Sequence, residues 1–107
     1  MIQITAGALT GRFGRRPKYW SEKLLDDGVV HILATDAHNL RNRSPLLSEA
    51  REAVAARLGE QAAEDMVVTR PRLILENALP SSAPEPVGVE RQARPRAGLF
   101  ARLFSAA

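Results

Sequence analysis

"VVHILATDAHNLRNR", residues 29–43, changes character at its midpoint. The first seven residues are mostly β-branched or aliphatic and do not alternate with polar ones, which is the pattern of a strand covered on both faces in a parallel sheet. The second half then gathers Asp36, His38, Asn39, Arg41 and Arg43 within eight residues. In parallel α/β architectures, functional side chains cluster where strands end, because the loops there aim into a shared mouth.

Working outward from this segment, "MIQIT" at residues 1–5 alternates apolar and polar side chains and reads as a short strand. The loop "TAGALTGRFG" that follows carries glycines at 7, 11 and 14; no lysine and Ser/Thr pair follows the last of them, so backbone turns fit it better than a phosphate cradle. From Arg16 to Asp27 the spacing predicts a helix with Tyr19, Trp20, Leu24 and Leu25 on one side and Gly28 as its C-cap. Strand, helix and strand in this order form a βαβ unit, so the expected fold class is α/β. Beyond the polar segment, Ser44 and Pro45 suit the N-cap and first position of a helix that places Leu47, Ala50, Val54 and Leu58 on one face and ends at Gly59. A second short helix is expected at "EQAAEDMVV" and a third at "PRLILEN", with Pro71 in its first position.

Composition changes near Leu79. Four of the seven prolines lie between Pro80 and Arg96, so residues 79–97 read as a Pro/Arg-rich linker after a domain at 1–78. The final segment, 98–107, spaces Leu99, Phe100, Leu103 and Phe104 as an amphipathic turn suited to a partner or a membrane surface; a frayed, disordered end is the alternative.

The chain has 107 residues, 45% of them hydrophobic, enough for one small domain. It contains no cysteine, which excludes disulfides, thiolate metal sites and a cysteine nucleophile; any metal site must use histidine, carboxylate and water. No apolar run is long enough for a membrane span and no signal peptide opens the chain, so the expected location is cytoplasmic, with peripheral membrane contact through the tail as an option. The net charge of +3 comes from arginines scattered in small groups without interleaved aromatics, and no nucleic-acid partner is expected.

Asp36 and His38 stand two apart, and in an extended segment such side chains project to the same side, where a carboxylate and an imidazole could ligate a divalent metal. A plain Asp–His hydrogen bond or a helix-capping aspartate is the competing reading. Arg41 and Arg43 add guanidinium groups that match phosphate oxygens in a bidentate fork, although either could be a solvated surface arginine. His31, at the start of the strand, is expected to be structural.

The glycine-spaced "TAGALTGRFG", the "VHILATDAHN" that follows at the right distance, and "RPR" before the last helix together resemble the C-terminal part of the bacterial capsule and exopolysaccharide tyrosine-protein phosphatases of the polymerase and histidinol phosphatase (PHP) superfamily. The match runs from about Ile2 to about Asn77; Ala8 and Thr35 stand where that family has serine, and neither change removes a ligand. The resemblance implies the last portion of a distorted (β/α)7 barrel that binds divalent metal, most commonly manganese, and hydrolyses phosphotyrosine on a protein such as a bacterial tyrosine autokinase. It implies Asp36 and His38 as metal ligands and Arg43 as the arginine that contacts phosphate. The family's other ligands, including an N-terminal His-x-His motif, have no counterpart in a chain with only two histidines. The expectation is therefore a C-terminal phosphatase fragment, inactive alone; the alternative is a non-catalytic adaptor that binds a partner or a membrane through its tail.

Overall fold

The computed structural model describes residues 1–42 and 44–89. Its centre is a parallel pair of three-residue strands, β1 (Gln3–Thr5) and β2 (Ile32–Ala34), in the register Gln3 to Ile32, Ile4 to Leu33 and Thr5 to Ala34. Helices α1 (Ala6–Leu9) and α2 (Arg15–Asp26) connect them. The expected βαβ unit is thus present. Ile4 and Leu33 point into the core, whereas Gln3 is exposed and its partner Ile32 half-buried, so within the described residues the helices cover one face of the sheet.

Part of the glycine-spaced loop is helical. β1 runs straight into α1, and Gly7 within it lies against the ring of Phe13, where a Cβ would come to 2.7 Å of the ring tip. Helix α2 buries Leu25 completely and Ser21 almost so, but Tyr19 and Trp20 are 58% and 55% exposed. They stack edge to face at a centroid distance of 5.2 Å rather than joining the core. Leu24 packs at the core's margin, and Gly28 takes φ of 69° as the helix ends, the conformation glycine adopts without strain.

The N-cap expected at Ser44, with Pro45 in the first position, does not form: α3 spans Ser48–Leu58 with Leu47 at its N-cap, no side-chain capping bond, and Glu49 in its first turn, the favourable end for an acid. Ala50 and Val54 are buried, Leu47 and Leu58 pack beside them, and Gly59 at φ 94° separates α3 from α4 (Glu60–Glu64). Arg57 ties α3 to α2 through Asp26 at 2.8 Å and Glu22 at 3.3 Å, and Arg51 reaches Glu60 and Glu64.

The two last helices expected from sequence are one helical run. After α4 the helix widens into a π-turn, Asp65–Thr69, closed by the Arg70 N–H on the Asp65 carbonyl, and continues as α5 (Arg70–Leu75). Proline inside an α-helix lacks the donor for the carbonyl four residues back and its ring strikes that carbonyl. The π-turn ahead of Pro71 loosens the spacing there, so the helix continues instead of stopping.

Arg70 is 2% exposed, and its guanidinium bonds two carbonyls, that of His31 at 2.9 Å and that of Pro84 at 2.8 Å. The described portion of the Pro/Arg-rich segment is therefore held against the domain. A 3₁₀ turn spans Pro80–Ser82, Pro86 and Gly88 are buried, and the Gly88 N–H donates to the Gly28 carbonyl at 2.8 Å. Backbone meets backbone here, since a Cβ on Gly88 would collide with the Asp27 carbonyl oxygen. The rest of the expected linker, 90–97, and the tail with Leu99, Phe100, Leu103 and Phe104 lie outside the described residues. Among the described residues no helix is long and apolar enough to cross a membrane.

His31 accepts the Ile2 N–H on Nδ1 at 3.0 Å, a structural role as expected. Burial lowers its pKa, and the positive charges of the amino terminus and Arg70 act in the same direction, against smaller opposing effects of Glu85 and the Val29 backbone.

Two outcomes follow from these contacts. Arg70→Met orphans two carbonyls and should cost about 2–4 kcal/mol, and Gly88→Ala about 1–3 kcal/mol, both read from urea midpoints; loss of protection at the residue-88 amide in hydrogen exchange should accompany the second. Because the folded His31 pKa lies below its unfolded value of 6.5, the unfolded chain binds this proton first. Stability is then full above 6.5 and falls as the pH drops from 6.5 toward the lowered folded value, and His31→Gln, which keeps an acceptor, should flatten that decline below pH 6.5.

Candidate functional site

β2 ends at Ala34, and two residues later the backbone turns left-handed, with φ of 51° at Asp36. Aspartate is among the few non-glycine residues that enter this region readily. The turn removes the extended geometry on which same-side projection of residues 36 and 38 was expected. What links the two residues is different: the His38 ring folds back, with Nδ1 2.7 Å from the Asp36 carbonyl oxygen. A carbonyl only accepts, so Nδ1 carries the proton and the neutral imidazole keeps its lone pair on Nε2. Metal-binding histidines are oriented in this way, through the nitrogen that does not bind the ion. Both residues are exposed.

Asn39 shapes the next step. Its Oδ1 accepts the backbone N–H of Arg41 at 3.0 Å and of Asn42 at 2.7 Å, closing an Asx-type turn over residues 39–42. Asn39 had no assigned role in the sequence, although an asparagine in a polar loop that must reverse is a signal for this turn. Arg43 lies outside the described residues. Arg41 is exposed.

Between the ends of the two strands lies a cleft of about 80 Å³ whose lining includes Thr10, Arg12, Thr35, Asn42, Ser44 and Ser48. Thr35 directly precedes Asp36, so the cleft adjoins the Asp36–His38 turn, but neither of those two residues lines it. Arg12 and Asn42 were not singled out in the sequence. Their convergence depends on α1 folding the chain back over β1, which the glycine spacing alone did not disclose.

The donor set fits a divalent ion in kind: a carboxylate oxygen and a neutral imidazole nitrogen suit hard to borderline cations. It does not suffice in number. Among the described residues no group of three or more His, Asp or Glu side chains could hold an ion. Asp36 and His38 by themselves offer two donor side chains.

Known proteins resemble this chain in sequence and fold. YwqE of Bacillus subtilis, named a tyrosine-protein phosphatase, is 29% identical over 85 residues, covering 79% of this chain and 34% of that protein. CpsB of Streptococcus pneumoniae, likewise named, is 31% identical over 70 residues, covering 63% of this chain and 29% of its own. A solved structure from the crystallographic study of YwqE and CpsB, described there as unique metal-dependent tyrosine phosphatases, superposes with a TM-score of 0.64 at 32% identity, over 79% of this chain and 34% of that one. The chain thus spans about a third of the length of the curated relatives it matches. The family described as "Capsular polysaccharide synthesis, CpsB/CapC" matches residues 1–76, from the first residue before β1 through the end of α5, and this chain belongs to that family.

Proposed function

We propose that this chain supplies the last metal ligands and the phosphate-binding arginine of a metal-dependent protein-tyrosine phosphatase that regulates capsule or exopolysaccharide synthesis. In this reading β1 and β2 are the closing strands of a distorted (β/α)7 barrel, and the sheet face not covered by helices turns toward its interior. The observation that carries the reading is the hydrogen bond from His38 Nδ1 to the Asp36 carbonyl, immediately beyond a parallel strand, which presents Nε2 as a ligand. The names of the relatives and the metal dependence stated for YwqE and CpsB support it.

A bound divalent ion, manganese in this proposal, supplies a water of lowered pKa and neutralises charge on the phosphate oxygens. Asp36 contributes an anionic oxygen to the site. His38 is held in one ring orientation by its Nδ1–H, so no rotamer search precedes ligation. Arg43 forks two phosphate oxygens, and Asn39 holds the loop that delivers it. The substrate is a phosphotyrosine protein, for which a bacterial tyrosine autokinase of the cytoplasm is the fitting class. The count of only two ligands favours a second reading, a non-catalytic remnant that acts by binding alone.

Two measurements separate these. Calorimetric titration of the 107-residue chain with manganese should give an affinity weaker than about micromolar, abolished by His38→Ala, since two protein ligands leave most of the shell to water; sub-micromolar binding contradicts a shared site. Joined to the N-terminal two-thirds of YwqE, the chain should hydrolyse a phosphotyrosine peptide. There Asp36→Asn and His38→Ala should lower metal content and reduce turnover by roughly 100-fold or more, whereas Arg43→Lys should lower kcat/KM about 10- to 100-fold with metal content intact. Unchanged metal content and rate in the first two variants would leave the binding-only reading.

A further inference from the structure

Eight arginines of the domain lie among the described residues; apart from Arg72, which is exposed on α5, they divide into two groups. Arg51, Arg57 and Arg70 each hold carboxylates or carbonyls within the fold. Arg12, Arg15, Arg16 and Arg41 are exposed, and their guanidinium groups form no ion pair among the described residues. These four also share one end of the molecule. Arg12 lines the cleft between the strand ends together with Asn42, the neighbour of Arg41. Arg15 and Arg16 open α2, which runs from that end back to Gly28 and the start of β2.

The charge order along α2 is the reverse of what helix stability favours. Its first turns carry Arg15, Arg16 and Lys18 with no acid in the first turn, while Glu22, Asp26 and Asp27 lie toward its end. The helix dipole disfavours cations at the N-terminus and anions at the C-terminus. At the far end the fold supplies a reason, because Arg57 of α3 takes up Glu22 and Asp26. At the positive end Lys18 pairs with Glu22 at 3.9 Å, while Arg15 and Arg16 form no ion pair among the described residues.

We infer that Arg12, Arg15, Arg16 and Arg41 form a docking rim for acidic residues that flank the phosphotyrosine of the substrate polypeptide. The inference rests on the phosphatase reading for the identity of the ligand: Arg12 lines the cleft, with Glu49 as its one acidic wall, and the other three lie near it in the chain, outside its lining, where they would meet residues flanking whatever enters. Sequence alone did not show the rim, since the four residues sit in separate groups until the βαβ turn brings 12–16 and 41 to one mouth. Exposed guanidinium groups attract carboxylates at long range and add specificity through their number.

The test uses the 107-residue chain and fluorescein-labelled peptides with a central phosphotyrosine, flanked by Glu and Asp or by Ser and Gly, plus the acidic peptide without phosphate. Anisotropy at low salt should show the acidic-flanked peptide binding about tenfold more tightly, as several exposed ion pairs of modest strength would give. The preference should shrink with added salt, persist without the phosphate, and vanish in the triple variant Arg12→Glu, Arg15→Glu, Arg16→Glu. Arg72→Glu, an exposed position on α5, should leave it unchanged, with circular dichroism confirming that both variants fold. No acidic preference, an equal loss in Arg72→Glu, or tighter binding of a single-stranded oligonucleotide, to which the exposed Tyr19 and Trp20 would contribute, overturns the rim. The two readings fail separately: a completed barrel that hydrolyses phosphotyrosine without regard to flanking acids removes the rim alone, and a rim that discriminates acidic peptides beside a barrel that hydrolyses nothing removes the phosphatase alone.

Discussion

One buried cation holds the strand pair to everything that follows it in the chain. Taking a guanidinium out of water costs several kcal/mol unless its donors are met, and Arg70 meets this with the carbonyls of His31 and Pro84. The first bond fixes the helical run from α4 to α5 against the start of β2; the second fixes the segment beyond α5 to the same point. Its charge also helps keep His31 neutral, so that Nδ1 can accept the Ile2 N–H and the two strands enter the sheet in register. Register decides where Thr5 and Ala34 end, and those ends bound the cleft.

The π-turn belongs to the same constraint. Pro71 cannot stand in a regular α-helix without displacing the carbonyl four residues earlier, yet Arg70 must stay helical to reach His31. Widening the helix over Asp65–Thr69 satisfies both, and the Arg70 N–H closes the wide turn on Asp65. A five-residue irregularity far from the strand ends is thus a condition for the alignment at those ends. The glycine crossing at Gly28 and Gly88 adds a second tie, close enough that neither position accommodates a side chain.

Much of the architecture was legible because it follows from periodicity. The βαβ order, the face of α3 carrying Ala50 and Val54, and the terminal glycines 28 and 59 all come from local patterns, and packing kept them. Reading failed where two local signals competed or where a distant contact decided. Ser44-Pro45 is a good local start, yet α3 begins only at Ser48, behind an uncapped Leu47, because the chain first passes along the cleft that Ser44 and Leu46 line. Tyr19 and Trp20 match the helical period but face water, since Leu24 and Leu25 already fill the space against the sheet. Pro-rich composition suggested a linker with no core of its own after Leu79, but Pro84 is held by Arg70 and Gly88 by Gly28, contacts too distant in the chain for a local pattern to disclose. At the site, Asp36 and His38 were visible as residue types, while the left-handed turn that relates them was not.

The same distinction separates stability from function along α2. Acids at its end are consumed by Arg57, so their unfavourable position relative to the dipole is offset inside the fold. The arginines at its beginning have no such return, and they sit beside a cleft that the fold has gone to some length to align. Arg51, Arg57 and Arg70 are bonded within the fold, whereas the arginines near the mouth are not, and that positive charge is what the proposed docking of acidic residues would use. Sequence-local charge counting merges the two ends of α2 into one net positive charge, and only the topology, which sends one end to the strand termini and the other to the strand starts, gives the two halves different meanings.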